Sequence, residues 1–466
     1  LARWNKIRGK NVWFLTGTDE HGKKIQEAAD KKNKNPKEFV DELVPEFKDA
    51  WKKLNIDYNR FIRTTDKDHK KIVQEILQKV YDKGDVYKGE YKGYYCTACE
   101  AYYTKKDLVD GCCPIHKKKI ELLKEESYFF RLSKYQDKLL KLYKKNPEFI
   151  SPENRRQEII NRVEKGLKDL SISRTSFDWG IKLPFDNKHI SYVWFDALFN
   201  YYTGAGGENQ EYWPAEVHLI GKDILWFHAV YWPAFLLSAG ISLPKKVFAH
   251  GWWTFDKEKI SKSRGKVINV NELISIAGVD AVRYFLFRET PFGEDGDFSE
   301  KELIARYNNE LADKLGNLIS RVSALIEKSG VEKCENKLIN KLKLKEIEEK
   351  IDNFEFDKAL NEIFAFIDVC NEYVQKNKIW ETKAQENSGE FSVSSKSQDE
   401  KILENKKKLY ELADSIKAIA ILLWPFIPSS SEKIARNFGF KIDFKEISKP
   451  LRAGKIKKGE ILFRKI

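Results

Sequence analysis

Lys259-Ile260-Ser261-Lys262-Ser263-Arg264-Gly265 brings two lysines, two hydroxyls and a glycine into one heptamer. Such a set suits a polyphosphate: ammonium groups meet its charge, hydroxyls donate to its oxygens, and glycine leaves the loop room to move. A Lys-Ser-rich heptamer standing alone is more often a basic surface loop, so the rest of the chain has to decide between the two. A second set is Cys96-x-x-Cys99, thirteen residues, then Cys113-x-x-His116. Paired knuckles at these spacings read as a Cys3His zinc site, although the spacing also admits Cys112 in place of Cys113. A third is Asp19 with His21, in the polar stretch Thr18-Asp19-Glu20-His21-Gly22 directly after an apolar run.

These groups need elements to hold them. Asn11 to Gly17 reads as a short buried strand and Lys23 to Lys32 as a helix, which places Asp19 and His21 in a strand-to-helix loop, where open α/β sheets hold ligands. Helices are expected over Pro36–Leu54 and Asp66–Lys83, and strands over His189–Phe195 and Glu216–Ile220. Further on, Leu303, Tyr307, Leu311, Leu315, Ile319, Val322 and Ile326 recur at helical spacing and predict one long amphipathic helix. Similar stripes over Ala359–Val374 and Leu409–Leu423 predict a helical bundle, with the polar stretch Ala384–Glu400 as an exposed connection.

The chain has 466 residues, enough for about three domains. Lys and Arg total 84 against 71 Asp and Glu, an excess of 13 that suits a polyanionic partner as well as it suits a lysine-rich solvated surface. Four of the six cysteines fall between Cys96 and Cys113, a clustering that argues for metal over disulfides and for a cytoplasmic setting. No apolar run is long enough to span a bilayer, and the first residues resemble no signal peptide. Methionine is absent even at the first position, so the chain is expected to begin inside a longer natural sequence.

The heptamer closely resembles the Lys-Met-Ser-Lys-Ser loop of class I aminoacyl-tRNA synthetases, with Ile260 where methionine is usual. Ala249-His250-Gly251-Trp252-Trp253-Thr254 resembles the strand that precedes that loop. Together with Gly17-Thr18-Asp19-Glu20-His21-Gly22, Tyr192-Val193-Trp194-Phe195-Asp196-Ala197 and Gly221-Lys222-Asp223-Ile224-Leu225-Trp226-Phe227-His228, closed by Tyr231-Trp232-Pro233, these motifs match the methionyl-tRNA synthetase family in order and approximate spacing. The resemblance spans nearly the whole chain.

The resemblance implies a set of roles. Ala197, Tyr201, Ile224, Phe227, His228 and Trp232 would surround the methionine side chain, with Tyr201 as hydroxyl donor to the thioether, and Asp19 would hold the ammonium group. Lys262 and Lys259 would be catalytic, and Gly251, Trp252, Ser263 and Ile268 would bind ATP beside them, with Mg2+ accompanying the nucleotide. Asn317, Arg321 and Trp380 would read the anticodon. The cysteine knuckles would form a structural Zn2+ site of Cys96, Cys99, Cys113 and His116, with His116 where the family usually has cysteine.

The fold implied is a doubly wound α/β, Rossmann-type catalytic domain with a zinc-knuckle insertion, followed by an all-α anticodon-binding helical bundle. Its divisions are expected at 1–85 and 151–240 for the catalytic domain, 86–150 for the insertion, 241–300 for the connecting region, 301–440 for the bundle and 441–466 for a tail. The implied partners are methionine, ATP and methionine tRNA. The family's His-x-Gly-His motif is not in the chain, as expected if it lies in an N-terminal segment outside the sequence. Two alternatives remain open: another class I synthetase, from which the aromatic residues around Tyr201 and Trp232 would distinguish it, and a non-catalytic zinc-containing tRNA-binding relative.

Overall fold

A computed structural model describes residues 1–96, 101–103, 107–115, 117–207, 212–255, 258–259, 270–380, 395–452 and 456–466. They form two compact units. One is Trp13–Trp51 with Asp57–His250; the other is Leu1–Val12, Lys52–Ile56 and Gly251–Ile466.

The first unit is α/β. Leu15–Thr18 pairs in parallel with Arg60–Arg63. The approach is so close that a Cβ on Gly17 would lie 1.9 Å from the carbonyl oxygen of Ile62, so only glycine fits there. His218–Gly221, Val247–His250 and Ile150–Ser151 form a second parallel set, in that spatial order. Parallel strands need crossovers, and the helices Lys23–Asp30 and Pro36–Lys53 fall between the two strands of the first pair, with Lys67–Asp82 after the second. Trp232, Phe195, Phe199, Phe235 and Phe130 fill the core of this unit. A long antiparallel hairpin, Val86–Cys96 with Glu121–Phe130, projects the cysteine-bearing stretch, and Leu170–Ser171 pairs with its second arm.

Several strand boundaries differ from expectation, among them Glu216–Ile220, which is His218–Gly221. The strand expected over Asn11–Gly17 is confined to Leu15–Thr18. The strand expected over His189–Phe195 is Asp186–Ser191, and Val193–Leu198 is helical, its first turn closed by the amides of Phe195 and Asp196 on the carbonyl of Tyr192. A buried helix and a buried strand carry the same apolar run, so periodicity could not separate them. Ala249–Thr254 likewise is two strands, Val247–His250 and Trp253–Phe255, broken at Gly251. There a Cβ would meet the carbonyl oxygen of Glu294 at 2.1 Å, and the Trp252 amide turns to Asp295 Oδ1 at 2.8 Å.

The second unit is mainly helical. The stripe from Leu303 to Ile326 runs as Glu300–Arg306, a π-helix Tyr307–Gly316 and an α-helix Asn317–Ser329. The expected single α-helix is therefore interrupted. Widened turns free backbone groups, and Asn371 Nδ2 donates to the carbonyl oxygen of Lys314 at 3.2 Å. Phe356–Lys376, Ser395–Leu423 and Pro428–Phe438 complete the bundle. Of the expected connection Ala384–Glu400, residues 384–394 lie outside the described residues, and Ser395 to Glu400 begin the helix ending at Leu423. The residues Ser395 to Glu400 carry no apolar stripe, so their composition reads as a loop.

The first twelve residues also belong to this unit. Trp4 is fully buried, donates to Asp352 Oδ1 at 2.9 Å and meets Phe444 edge-on. Arg283 fans its guanidinium over the carbonyls of Leu54, Pro425 and Phe426, and burial lowers its pKa to about 10. Among the described residues, no helix is long and apolar enough to cross a membrane.

Candidate active site

Asp19 is exposed at the carboxyl end of the strand Leu15–Thr18, and its neighbours are anchored. Glu20 is buried, with one carboxylate oxygen accepting from Thr18 Oγ1 and Arg63 Nε, each at 2.7 Å, and the other from Thr65 Oγ1 at 2.5 Å. Its amide donates to Thr64 Oγ1 and its carbonyl accepts from Trp179 Nε1. His21 Nδ1 lies 2.6 Å from Asp196 Oδ2, and His69 Nε2 lies 2.8 Å from the other oxygen. Asp196 is 0 % exposed. Burial alone would raise its pKa, yet the two imidazoles hold it below the ordinary carboxylate value, so the aspartate stays ionised.

The expected side-chain residues gather in the same unit. Ala197, His228 and Trp232 are buried, and Tyr201, Ile224 and Phe227 pack partly buried against the same core. His228 Nδ1 faces the carbonyl oxygen of Ile224 at 3.0 Å, and a carbonyl only accepts, so Nδ1 carries a proton. Burial lowers the His228 pKa to about 4, which leaves the ring neutral and makes Nε2 an acceptor. Tyr201 Oη, 2.7 Å from Nε2, therefore donates its proton to His228. This corrects the expectation that Tyr201 offers its proton to a thioether, because that proton is committed to His228.

Trp232 Nε1 donates to His218 Nε2 at 3.2 Å, and burial, then His228, lowers the His218 pKa to about 3. The wall is thus aromatic and uncharged. Burial and, after it, the nearby Asp19 carboxylate raise the Tyr201 pKa, so Asp19 stands close enough for its charge to be felt at the phenol. Trp194 stacks on Phe227 at 3.9 Å between centroids.

Gly251 and Trp252 lie in the mainly helical unit, the backbone of Lys259 pairs with Thr254, and Lys262, Ser263 and Ile268 lie outside the described residues. Cys96 ends the strand Val86–Cys96 and is buried; Cys113 is 1 % exposed, Cys112 is half-buried, and Cys99 and His116 lie outside the described residues. A different group, Glu126, Asp186 and His189, has ligand-type atoms close together, but Lys88 Nζ already sits 2.8 Å from Glu126 and 3.6 Å from Asp186. Asn317 is exposed, and Arg321 places its guanidinium 5.5 Å from the ring centroid of Trp380, which is 43 % exposed.

Residues 1–121 and 105–323 match the family described as tRNA synthetases class I (M), and residues 339–452 match the anticodon-binding domain of tRNA ligase. The methionine–tRNA ligase of Caldanaerobacter subterraneus subsp. tengcongensis is 46 % identical, over 100 % of this chain and 74 % of that protein. The chain belongs to the class I methionyl-tRNA synthetase family. Another methionine–tRNA ligase, from Campylobacter jejuni, is 45 % identical over 95 % of this chain and 71 % of its own length. A Mycobacterium tuberculosis methionyl-tRNA synthetase solved with methionyl-adenylate bound is similar with a TM-score of 0.92 and 36 % identity, covering 99 % of this chain and 94 % of that one. The chain accordingly has a class I methionyl-tRNA synthetase catalytic part and an anticodon-binding helical domain.

Sequence reasoning on this methionyl-tRNA synthetase chain overlooked His69, His218 and Arg174. Arg174 is buried, donates to Ser171 Oγ at 2.9 Å and lies over the Tyr192 ring at 4.7 Å. For His69 the available signal was Asp196 inside the apolar Tyr192–Ala197 run, since a carboxylate there must have buried partners.

Proposed function

We propose that the chain selects methionine with Asp19, Ala197, Tyr201, Ile224, Phe227, His228 and Trp232. The chain is a methionine–tRNA ligase: methionine and ATP form methionyl-adenylate, and the acyl group then passes to methionine tRNA. In this reading ATP, with Mg2+, is met by Gly251, Trp252, Lys259, Lys262, Ser263 and Ile268, and Asn317, Arg321 and Trp380 receive the anticodon. The observation that carries the reading is the surroundings of Tyr201. Its ring lies 4.2 Å from His218 and 6.1 Å from Trp232, its proton goes to a neutral His228, and the Asp19 charge reaches it. An uncharged aromatic wall beside one carboxylate suits an apolar, polarizable side chain attached to an ammonium group.

Methionine-dependent pyrophosphate exchange tests this. Asp19→Asn keeps the size and removes the charge, so the KM for methionine should rise about tenfold, the worth of one charge-assisted hydrogen bond. An unchanged methionine KM would remove Asp19 from the site.

Zinc belongs to the same proposal, held by Cys96, Cys99, Cys113 and His116 within the insertion 86–150. The deep burial of Cys113 beside a half-buried Cys112 favours Cys113 as the ligand. The site would be structural, and the cysteine clustering supports a cytoplasmic setting. Elemental analysis should find about one zinc per chain, and Cys96→Ser should lower it together with solubility. Full zinc retention in Cys113→Ser, with loss in Cys112→Ser, would reassign the ligand.

A further inference from the structure

We propose that the buried bridge His21–Asp196–His69 fixes the spacing between the ammonium-holding Asp19 and the side-chain pocket, making His21 a positioning residue for methionine. The inference rests on the roles proposed for Asp19 and Tyr201. At one end, His21 stands two residues from Asp19 and donates to Asp196 at 2.6 Å. At the other, Asp196 immediately precedes Ala197, and His69, which holds the second Asp196 oxygen, places Nδ1 3.2 Å from Thr203 Oγ1. Asp196 and Thr203 thus bracket the segment that carries Ala197 and Tyr201. Glu20, fixed by Thr18, Arg63 and Thr65, prevents the loop from sliding along its strand.

A buried carboxylate between two imidazoles is a stiff connection, because the low local dielectric strengthens both bonds and stretching either leaves a charge unpaired. A ligand held at its ammonium and at its thioether is measured by the distance between the two holders. Misplacement by about 1 Å can lower the rate by about a hundredfold, so a bridge that fixes this distance bears directly on which amino acid fits. The His21 ring itself is oriented by Asp196 and by edge contact with Trp179 at 5.3 Å.

The test uses the full chain in a form competent for pyrophosphate exchange, with thermal midpoints measured alongside. His21→Ala should raise the methionine KM about tenfold, leave the ATP KM within about twofold, and narrow the preference for methionine over its S-ethyl analogue. His21→Asn, whose amide N–H can take the place of Nδ1–H, should recover most of the loss, whereas His21→Gln carries the amide one methylene too far and should not. If His21→Ala fails to fold, the Asn and Gln variants carry the comparison, and equal behaviour of the two overturns the inference. So does a parental methionine KM and analogue preference in His21→Ala while Asp19→Asn is impaired. If Asp19→Asn is unimpaired as well, the site reading itself falls.

Discussion

Lys262→Ala is expected to slow methionine-dependent pyrophosphate exchange by about a hundredfold, with the methionine KM close to parental. When the methionine carboxylate attacks the α-phosphate of ATP, little covalent chemistry falls to the protein, and acceleration comes from positioning and from meeting charge as it grows. An ammonium on a Gly-containing loop can meet the β and γ phosphates as pyrophosphate separates, an interaction stronger in the transition state than with bound ATP. Loss of one such donor typically costs on the order of 3 kcal/mol. Lys262→Arg keeps the charge and should retain more activity than the alanine variant. Parental exchange rates in Lys262→Ala would take this lysine out of the mechanism.

Trp380→Ala should raise the KM for tRNA about tenfold or more, since stacking of one base on an aromatic ring is worth roughly 1–3 kcal/mol. The structure supplies the geometry: an indole 43 % exposed, beneath the Arg321 guanidinium, with Asn317 one helical turn before Arg321. An exposed tryptophan that already holds a cation over one face is suited to an unstacked base, and Asn317 and Arg321 have donors for base edges. Pyrophosphate exchange without tRNA should hardly change, because adenylate formation needs no anticodon. Aminoacylation of the cognate tRNA and of an anticodon-altered tRNA is the measurement. Equal discrimination by the parental and Trp380→Ala enzymes would show that Trp380 does not read the anticodon.

Short-range order was legible in the residues. The loop holding Asp19 follows a strand as its apolar prefix predicts, and Ile224, Phe227, His228 and Trp232 join one core. A 3-10 turn ending at Ile224, a π-helix Phe227–Tyr231 and an α-helix from Trp232 nevertheless stand where their spacing reads as one regular helix. The partnerships were not legible. His21 and Asp196 are 175 positions apart, and spacing reports only neighbours along an element. The proton direction at Tyr201 likewise depends on the Ile224 carbonyl behind His228, a backbone group that residue types do not reveal. Trp4 reads as part of a catalytic segment, yet it is buried against Asp352 and Phe444, because a single large apolar ring does not indicate which core it joins.

The π-helix Tyr307–Gly316 makes the face proposed to read the anticodon sensitive to length. Each residue of an α-helix turns the chain by about 100°, so removing one residue upstream would swing Asn317 and Arg321 by about that angle, off the side that faces Trp380. Side-chain replacements there leave the azimuth of the recognition groups alone, whereas a single-codon insertion or deletion rephases them all at once. The Asn371 bond to Lys314 works as a detent, holding the wide turns against a lapse into tighter α winding. The buried Tyr307, Leu311, Ala312 and Leu315 restrict side chains on the core side of this stretch, whereas its length is constrained throughout.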